Sequence, residues 1–283
     1  MLLVVHGKDA RNAQLAQVDP CTSHSKPVTN NTRISNIGAT GGQVVVGAAP
    51  SDVDQVFRLD QGRLVPVTGR TAPAGLTPAV DSHGAAVYGA VDNTTTPYTV
   101  HLSIGSRNTV IHRGLAPQGP FAFTGPGPVL TIEDPSYQNP LPGAPTRPQL
   151  LRLTPAAGGA YRVDLTRAVA VAPVNGLAWL PGLSVAAISG GQNLDRAYLL
   201  NLDTGKQTAL PAGWRVLVAL PGSNRLLLVR QAHLGVLDAA HPTGPVQPLT
   251  LPSSLGGIYG AAPAPRWPQP TAASMAAIAP NPY

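Results

Sequence analysis

Strongly apolar strand-like runs recur along this chain at near-constant spacing, and that repeat is what most limits its fold. The runs centre on Val4, Val45, Val87, Leu130, Ala186 and Leu227, at intervals of 41, 42, 43, 56 and 41 residues. A period near 42 residues fits a unit of four short antiparallel strands, and such a sheet, apolar on both faces, is stable only between copies of itself. The clearest unit runs from Gly176 to Pro211. Its strands are expected at 176–180, 183–189, 197–202 and 207–210, with turns at Pro181-Gly182 and Asp203-Thr204-Gly205-Lys206.

Most units also end their third strand in a polar turn, as at Asp19-Pro20, Asp60-Gln61-Gly62, Ser103-Ile104-Gly105, Asp203-Thr204-Gly205 and Asp238. Asp and Gly supply the tight geometry these turns need. Residues 1–29 hold the second, third and fourth strands of a unit, whereas Gly257 to Ala262 reads as an innermost strand with nothing to complete it. The expected fold is therefore an all-β propeller of four-stranded antiparallel blades. Six blades are expected, with seven as the alternative, and the C-terminal strand joins the N-terminal blade, which removes exposed sheet edges. Residues 1–262 form the propeller domain in this reading, and 263–283 a Pro-rich tail, although Thr271 to Ala279 would begin a further blade in the seven-blade alternative. The one long interval comes from a proline-rich insertion over 134–148, between the second and third strands of the fourth unit.

Composition narrows the function classes. Pro 31 and Gly 30 make turns dense, while 43% hydrophobic residues argue against disorder. The net charge of +6 is carried by arginines spread over the repeats without a cluster, so no nucleic-acid partner is expected. A single cysteine, Cys21, allows no internal disulfide and leaves the redox compartment open. Met1 leads directly into Leu2 to Val5 without a basic segment or cleavage site, so no signal peptide is visible. The uncharged run Ala168 to Leu194 is broken by Pro173, Asn175, Gly176, Pro181 and Gly182 at strand-and-turn spacing, so it reads as two buried strands and no membrane span is expected.

In a propeller the second-to-third-strand loops and the blade-to-blade connections share one face, around the mouth of the central channel. Those loops hold Lys8, Asp9 and Arg11; Asp52 and Asp54; Asp92 and Asn93; Glu133 and Asp134; Asn193, Asp195 and Arg196; Gln231 and His233. They contain 7 of the 13 acidic residues, including the only Glu. A mouth lined with carboxylates suits a cation or a basic peptide, and the candidate ligand-binding residues are Asp9, Asp52, Asp54, Asp92, Glu133, Asn193, Asp195 and His233. The bland alternative is that charges belong in solvated loops. Catalytic signatures do not assemble. Asp81-Ser82-His83 holds triad residue types, but contiguous turn residues cannot form the required hydrogen-bond chain, and no GxSxG elbow occurs. The seven histidines lie in different units without metal-ligand spacing, His6 and His233 being the pair placed nearest the mouth. The glycine runs at 38–42 and 125–128 precede no helix, so they read as turns rather than phosphate cradles. Trp179, Trp214 and Trp267 fall in or near innermost strands, where their rings would pack between blades.

The pattern VAAISGGQNLDRAYLLNLDTGKQTALPAG (185–213) resembles a blade of the bacterial WD40-like, TolB-like and YVTN-repeat propellers. It lacks the Gly-His and Trp-Asp dipeptides of eukaryotic WD40 blades. The resemblance implies a bacterial, non-catalytic binding or scaffold module for a protein, peptide or small ligand at the channel mouth, and a setting in the cell envelope. A protein or peptide partner is expected, the chain itself being a monomer with no required cofactor. The competing expectation is a metal-dependent hydrolase of the propeller lactonase or esterase type, in which Asp52, Asp92, Glu133, Asn193 and Asp195 would converge on a divalent cation such as Ca2+.

Overall fold

A computed structural model of the chain describes residues 1–9, 12–29, 32–40, 43–49, 55–60, 63–71, 77–80, 86–92, 96–104, 107–123, 127–137, 140–193, 196–220 and 222–264. Strands β1 (Leu2–Gly7), β2 (Gln14–Asp19) and β3 (His24–Pro27) begin the first sheet. The second sheet is β4 (Arg33–Thr40), β5 (Gln43–Ala49), β6 (Gln55–Asp60) and β7 (Arg63–Thr71). The third is β8 (Thr77–Val80), β9 (Ala86–Asp92), β10 (Tyr98–Ile104) and β11 (Arg107–Gly114). The fourth is β12 (Gln118–Phe123), β13 (Val129–Glu133), β14 (Gln149–Pro155) and β15 (Tyr161–Ala168). The fifth is β16 (Val174–Leu180), β17 (Val185–Gly190), β18 (Arg196–Asn201) and β19 (Gln207–Ala209). The sixth is β20 (Arg215–Ala219), β21 (Arg225–Arg230), β22 (His233–Asp238) and β23 (Gln247–Leu249). Each is a four-stranded antiparallel meander, and β24 (Gly257–Pro263) returns to complete the first, with Val4 opposite Ala261. The closing strand anticipated at the C-terminus is thus in place, and the uncharged stretch from Ala168 forms β16 and β17. Among the described residues no helix is long and apolar enough to cross a membrane.

Where their side chains are described, the second strands of the sheets pack on both faces, which is why their sequences are continuous apolar runs rather than alternating ones. All five residues of β13 and all six of β17 are buried. Neighbouring residues serve opposite sides. Leu227 and Val229 pack toward the first sheet, whereas Leu226 and Leu228 pack toward the fifth. Each fully buried side chain of this kind contributes on the order of 1.5–3 kcal/mol. Outer strands carry little of this, and β15 and β19 are largely exposed.

A ring of six or seven equivalent blades requires as many apolar seams between sheets, and here the expectation is corrected. The described side chains form five. They join Leu3, Val5 and Leu15 to Ile34, Val44 and Val46; Val100 and Leu102 to Phe121 and Leu151; Leu130 and Ile132 to Val174 and Ile188; Leu180 and Leu199 to Val216 and Leu226; and Leu227 and Val236 to Leu2 and Ile258. The side chains between the second and third sheets fall largely outside the described residues.

Polar side chains close the third-to-fourth-strand turns on the face opposite the mouth. Asp19 Oδ1 accepts the Cys21 amide at 2.9 Å, and Asp238 Oδ1 the Ala240 amide at 3.0 Å. In the fifth sheet Asn201, not Asp203, does this work, accepting the amides of Asp203 and Thr204 at 3.1 and 2.7 Å.

Candidate functional site

Second strands end, and innermost strands begin, at one end of the sheets. The loops expected at the mouth therefore lie there. Asp92 and Glu133 are the last residues of β9 and β13, Asp9 and Asn193 lie in the loops after β1 and β17, and His233 opens β22. Asp52, Asp54 and Asp195 lie outside the described residues, as does the Asp81-Ser82-His83 turn, and only the backbone of Asp92 is described. His6 belongs to a second strand, as expected, but His233 belongs to a third. The His6 Nδ1 lies 2.9 Å from the Leu255 carbonyl oxygen, so the two histidines are held on separate elements.

The carboxylates that are described do local work. Glu133, 7% exposed, accepts the amides of Leu115 and Ala116 through Oε1 at 2.8 and 2.9 Å. Those residues connect the third sheet to the fourth. Asp134 is fully buried, and its Oδ2 accepts the Val174 amide at 2.9 Å at the start of β16. Its Oδ1 accepts the Ser136 amide and hydroxyl, and its own amide donates to the Pro117 carbonyl at 2.9 Å. Two further bonds dock the proline-rich insertion on the same connections. The Tyr137 hydroxyl donates to the Val174 carbonyl at 3.1 Å, and the Leu141 amide to the Leu115 carbonyl at 2.7 Å. Burial, with the Asp134 carboxylate beside it, raises the Tyr137 pKa above the usual phenol value. Glu133 and Asp134 thus fasten loop to connection. Asp9 is exposed and accepts the Asn12 amide at 2.9 Å, closing its own loop. Asn193 and His233 are exposed. Among the described residues no three of His, Cys, Asp and Glu gather as a metal site.

What the repeat pattern does not reveal is a bulge near the mouth end of the innermost strands. In β4 the register steps from Ile34 to Asn36, in β12 from Gly119 to Phe121, in β16 from Val174 to Gly176, and in β20 from Val216 to Val218. In β24 it steps from Gly260 to Ile258. One extra residue is therefore unpaired in each of five innermost strands: Ser35, Pro120, Asn175, Leu217 and Tyr259. A bulge bends the strand and re-aims the extra side chain. Ser35, Asn175 and Tyr259 are exposed although they lie on strands flanked by sheet on one side, so their open side is the channel or its mouth. One signal was legible. Proline within a strand marks an edge or a bulge, and Pro120 sits inside an otherwise strand-like QGPFAF. Trp179 and Trp214 are buried at 9% and 6% exposure, and the Arg230 guanidinium lies 4.8 Å from the Trp214 ring centre, so the described tryptophans pack between sheets.

No protein-family profile and no curated protein matches the chain. Solved structures do. The chain superposes on TolB from Acinetobacter baumannii with a TM-score of 0.67 at 13% identity, covering 92% of this chain and 65% of that one. It superposes on a chain of a nidogen/laminin complex with a TM-score of 0.62 at 14% identity, covering 92% of this chain and 96% of that one. The chain thus spans just under two thirds of the TolB length. At these identities the likeness is one of fold, and it is the TolB-like propeller fold that the repeat pattern resembles.

Proposed function

We propose that this TolB-like propeller is a non-catalytic binding module that takes a protein or peptide partner at the mouth of its channel. The observation that carries the reading is the set of bulges, because five innermost strands each give up a ladder pairing at the same end and present the freed residue there. Exposed Asp9, Asn193 and His233 form the outer rim of the same end, on the first, fifth and sixth sheets, which are neighbours. The metal-dependent hydrolase reading is weaker, since Glu133, one of its ligands, is committed to the Leu115 and Ala116 amides. The partner named for the nidogen/laminin complex is a protein, and a protein partner suits a rim of this breadth.

Photo-crosslinking tests the reading. A benzoylphenylalanine placed at Asn175, on the bulge, is expected to trap a partner in cells, whereas the same group at exposed Val163 on the outer strand β15 is not. Crosslinks at Val163 alone, or none at Asn175, would overturn it.

A further inference from the structure

The proline-rich insertion is folded down onto the fourth sheet at the mouth, and it leaves apolar side chains outward. On one side the Leu141 amide donates to the Leu115 carbonyl at 2.7 Å, and Leu115 Cδ1 lies 3.8 Å from the point that a Cβ on Gly143 would occupy. Gly143 has φ +86°, and the Ala144 amide donates to the Leu141 carbonyl at 3.0 Å. Leu141 to Ala144 is therefore a tight turn with Pro142 at its outer corner. On the other side stands Tyr137. Its Cε2 lies 3.9 Å from the Cβ position of Gly119, beside the bulged Pro120, and its hydroxyl bonds the Val174 carbonyl, beside the bulged Asn175. Both sides rest on one connection, because Glu133 Oε1 holds the Leu115 and Ala116 amides and the Asp134 amide donates to the Pro117 carbonyl. Leu115 and Tyr137 are nevertheless 40% and 39% exposed, and Pro142 is exposed with them. Apolar side chains held outward by a bonded backbone lose little freedom when a partner covers them, and such surfaces mark interaction sites.

The charges around this surface set the character of the partner. Over 113–119 and 133–148 the charged residues are Arg113, Glu133, Asp134 and Arg147. Glu133 and Asp134 are buried with oxygens on backbone amides, whereas Arg113, two residues before Leu115, and Arg147, four after Gly143, are exposed. A covering segment thus meets apolar contacts with cationic flanks.

We propose that Leu115, Tyr137 and Pro142 form a docking surface for a peptide segment of a partner protein that carries a large apolar side chain between acidic residues. The apolar side chain packs on the three and supplies the anchor, while long-range attraction from Arg113 and Arg147 selects the acidic flanks. This rests on the mouth being the binding end, and it names the part of the mouth that takes the anchor.

Amide NMR titration of the full chain tests it, with three peptide amides as probes: N-acetyl-Glu-Glu-Trp-Glu, N-acetyl-Glu-Glu-Ala-Glu and N-acetyl-Lys-Lys-Trp-Lys. The first is expected to shift the Leu115, Gly119, Tyr137, Leu141 and Gly143 amides saturably. The second lacks the anchor and the third the matching charge, and each is expected to bind about tenfold or more weakly. Leu115→Asp is expected to cost the first probe a similar factor, whereas Val163→Asp on the outer strand β15 leaves it unchanged. Should Leu115→Asp fail to fold by circular dichroism, Pro142→Asp at the exposed corner of the turn replaces it. No saturable shift with the first probe, an equal response to all three, shifts centred elsewhere, or equal affinity in a folded variant would overturn the inference. Crosslinks at Asn175 together with any of those results would overturn only this docking surface, leaving the mouth reading in place.

Discussion

Removing the Asp134 carboxylate should loosen the joint between the fourth and fifth sheets. Its Oδ2 accepts the buried Val174 amide at 2.9 Å, and Oδ1 serves the Ser136 amide at 2.9 Å. Hydrogen bonds to a charged group contribute about 1.5–3 kcal/mol each, and a buried donor left unpaired costs its full desolvation. Ser136 is exposed and can turn to water, so the Val174 amide carries most of the penalty. Asp134→Ala is therefore expected to cost about 2–4 kcal/mol. In urea unfolding followed by circular dichroism this appears as a lower midpoint with an unchanged slope, and in a thermal melt as a fall of roughly 3–7 °C. Asp134→Asn keeps one acceptor oxygen and should fall between the two. The control is Asp9→Ala, whose exposed carboxylate bonds Asn12 in its own loop, and which should cost less than about 1 kcal/mol. If Asp134→Ala proves as mild as Asp9→Ala, the carboxylate is not the clamp, and its burial needs another explanation.

Three further outcomes are expected. Gly176→Ala would place a Cβ 2.5 Å from both Val216 O and Ser189 Oγ, and since the first is strand backbone, β20 must shift. A loss of about 1–3 kcal/mol in urea unfolding is expected, and a neutral substitution would contradict the close approach. Ser189→Ala removes the acceptor for the buried Val216 amide, 3.0 Å away, and should cost about 1–3 kcal/mol in the same assay. The third concerns pH. Burial raises the Tyr198 pKa to about 12 despite the Ala170 amide donating to its oxygen at 2.9 Å. A pKa higher in the folded than in the unfolded chain means stability present below about pH 10 and lost between about 10 and 12. Tyrosinate absorbance at 295 nm should show a phenol titrating near pH 12 that Tyr198→Phe removes. Its appearance near pH 10 while the fold persists would refute the burial argument.

The sheets were legible because their second strands are buried on both sides. Leu226 to Val229 and Val185 to Gly190 are apolar at every position or nearly so, and such runs stand out at a 42-residue period whatever the loops do. Closure was legible for a related reason, since Gly257 to Ala262 has the small, apolar character of an innermost strand and the first unit lacked one. The number of packed seams was not. It depends on which side chains meet across neighbouring sheets, and periodicity along one chain does not contain that.

The loops misled in a more instructive way. A carboxylate in a loop has the same sequence appearance whether it faces water or bonds the start of the next sheet, and the Asp134 bond to Val174 spans 40 residues of chain. Of the seven acidic residues that the sequence places in these loops, Glu133 and Asp134 hold backbone amides. The bulges escaped notice because an insertion of one residue leaves the apolar period almost unchanged, while turning Tyr259, Asn175 and Ser35 toward solvent. Arg33 and Arg215 look scattered in the sequence because β24, the strand between β20 and β4, comes from the other end of the chain. Ring closure brings β20 and β4 to either side of it, 182 positions of chain separating the two arginines.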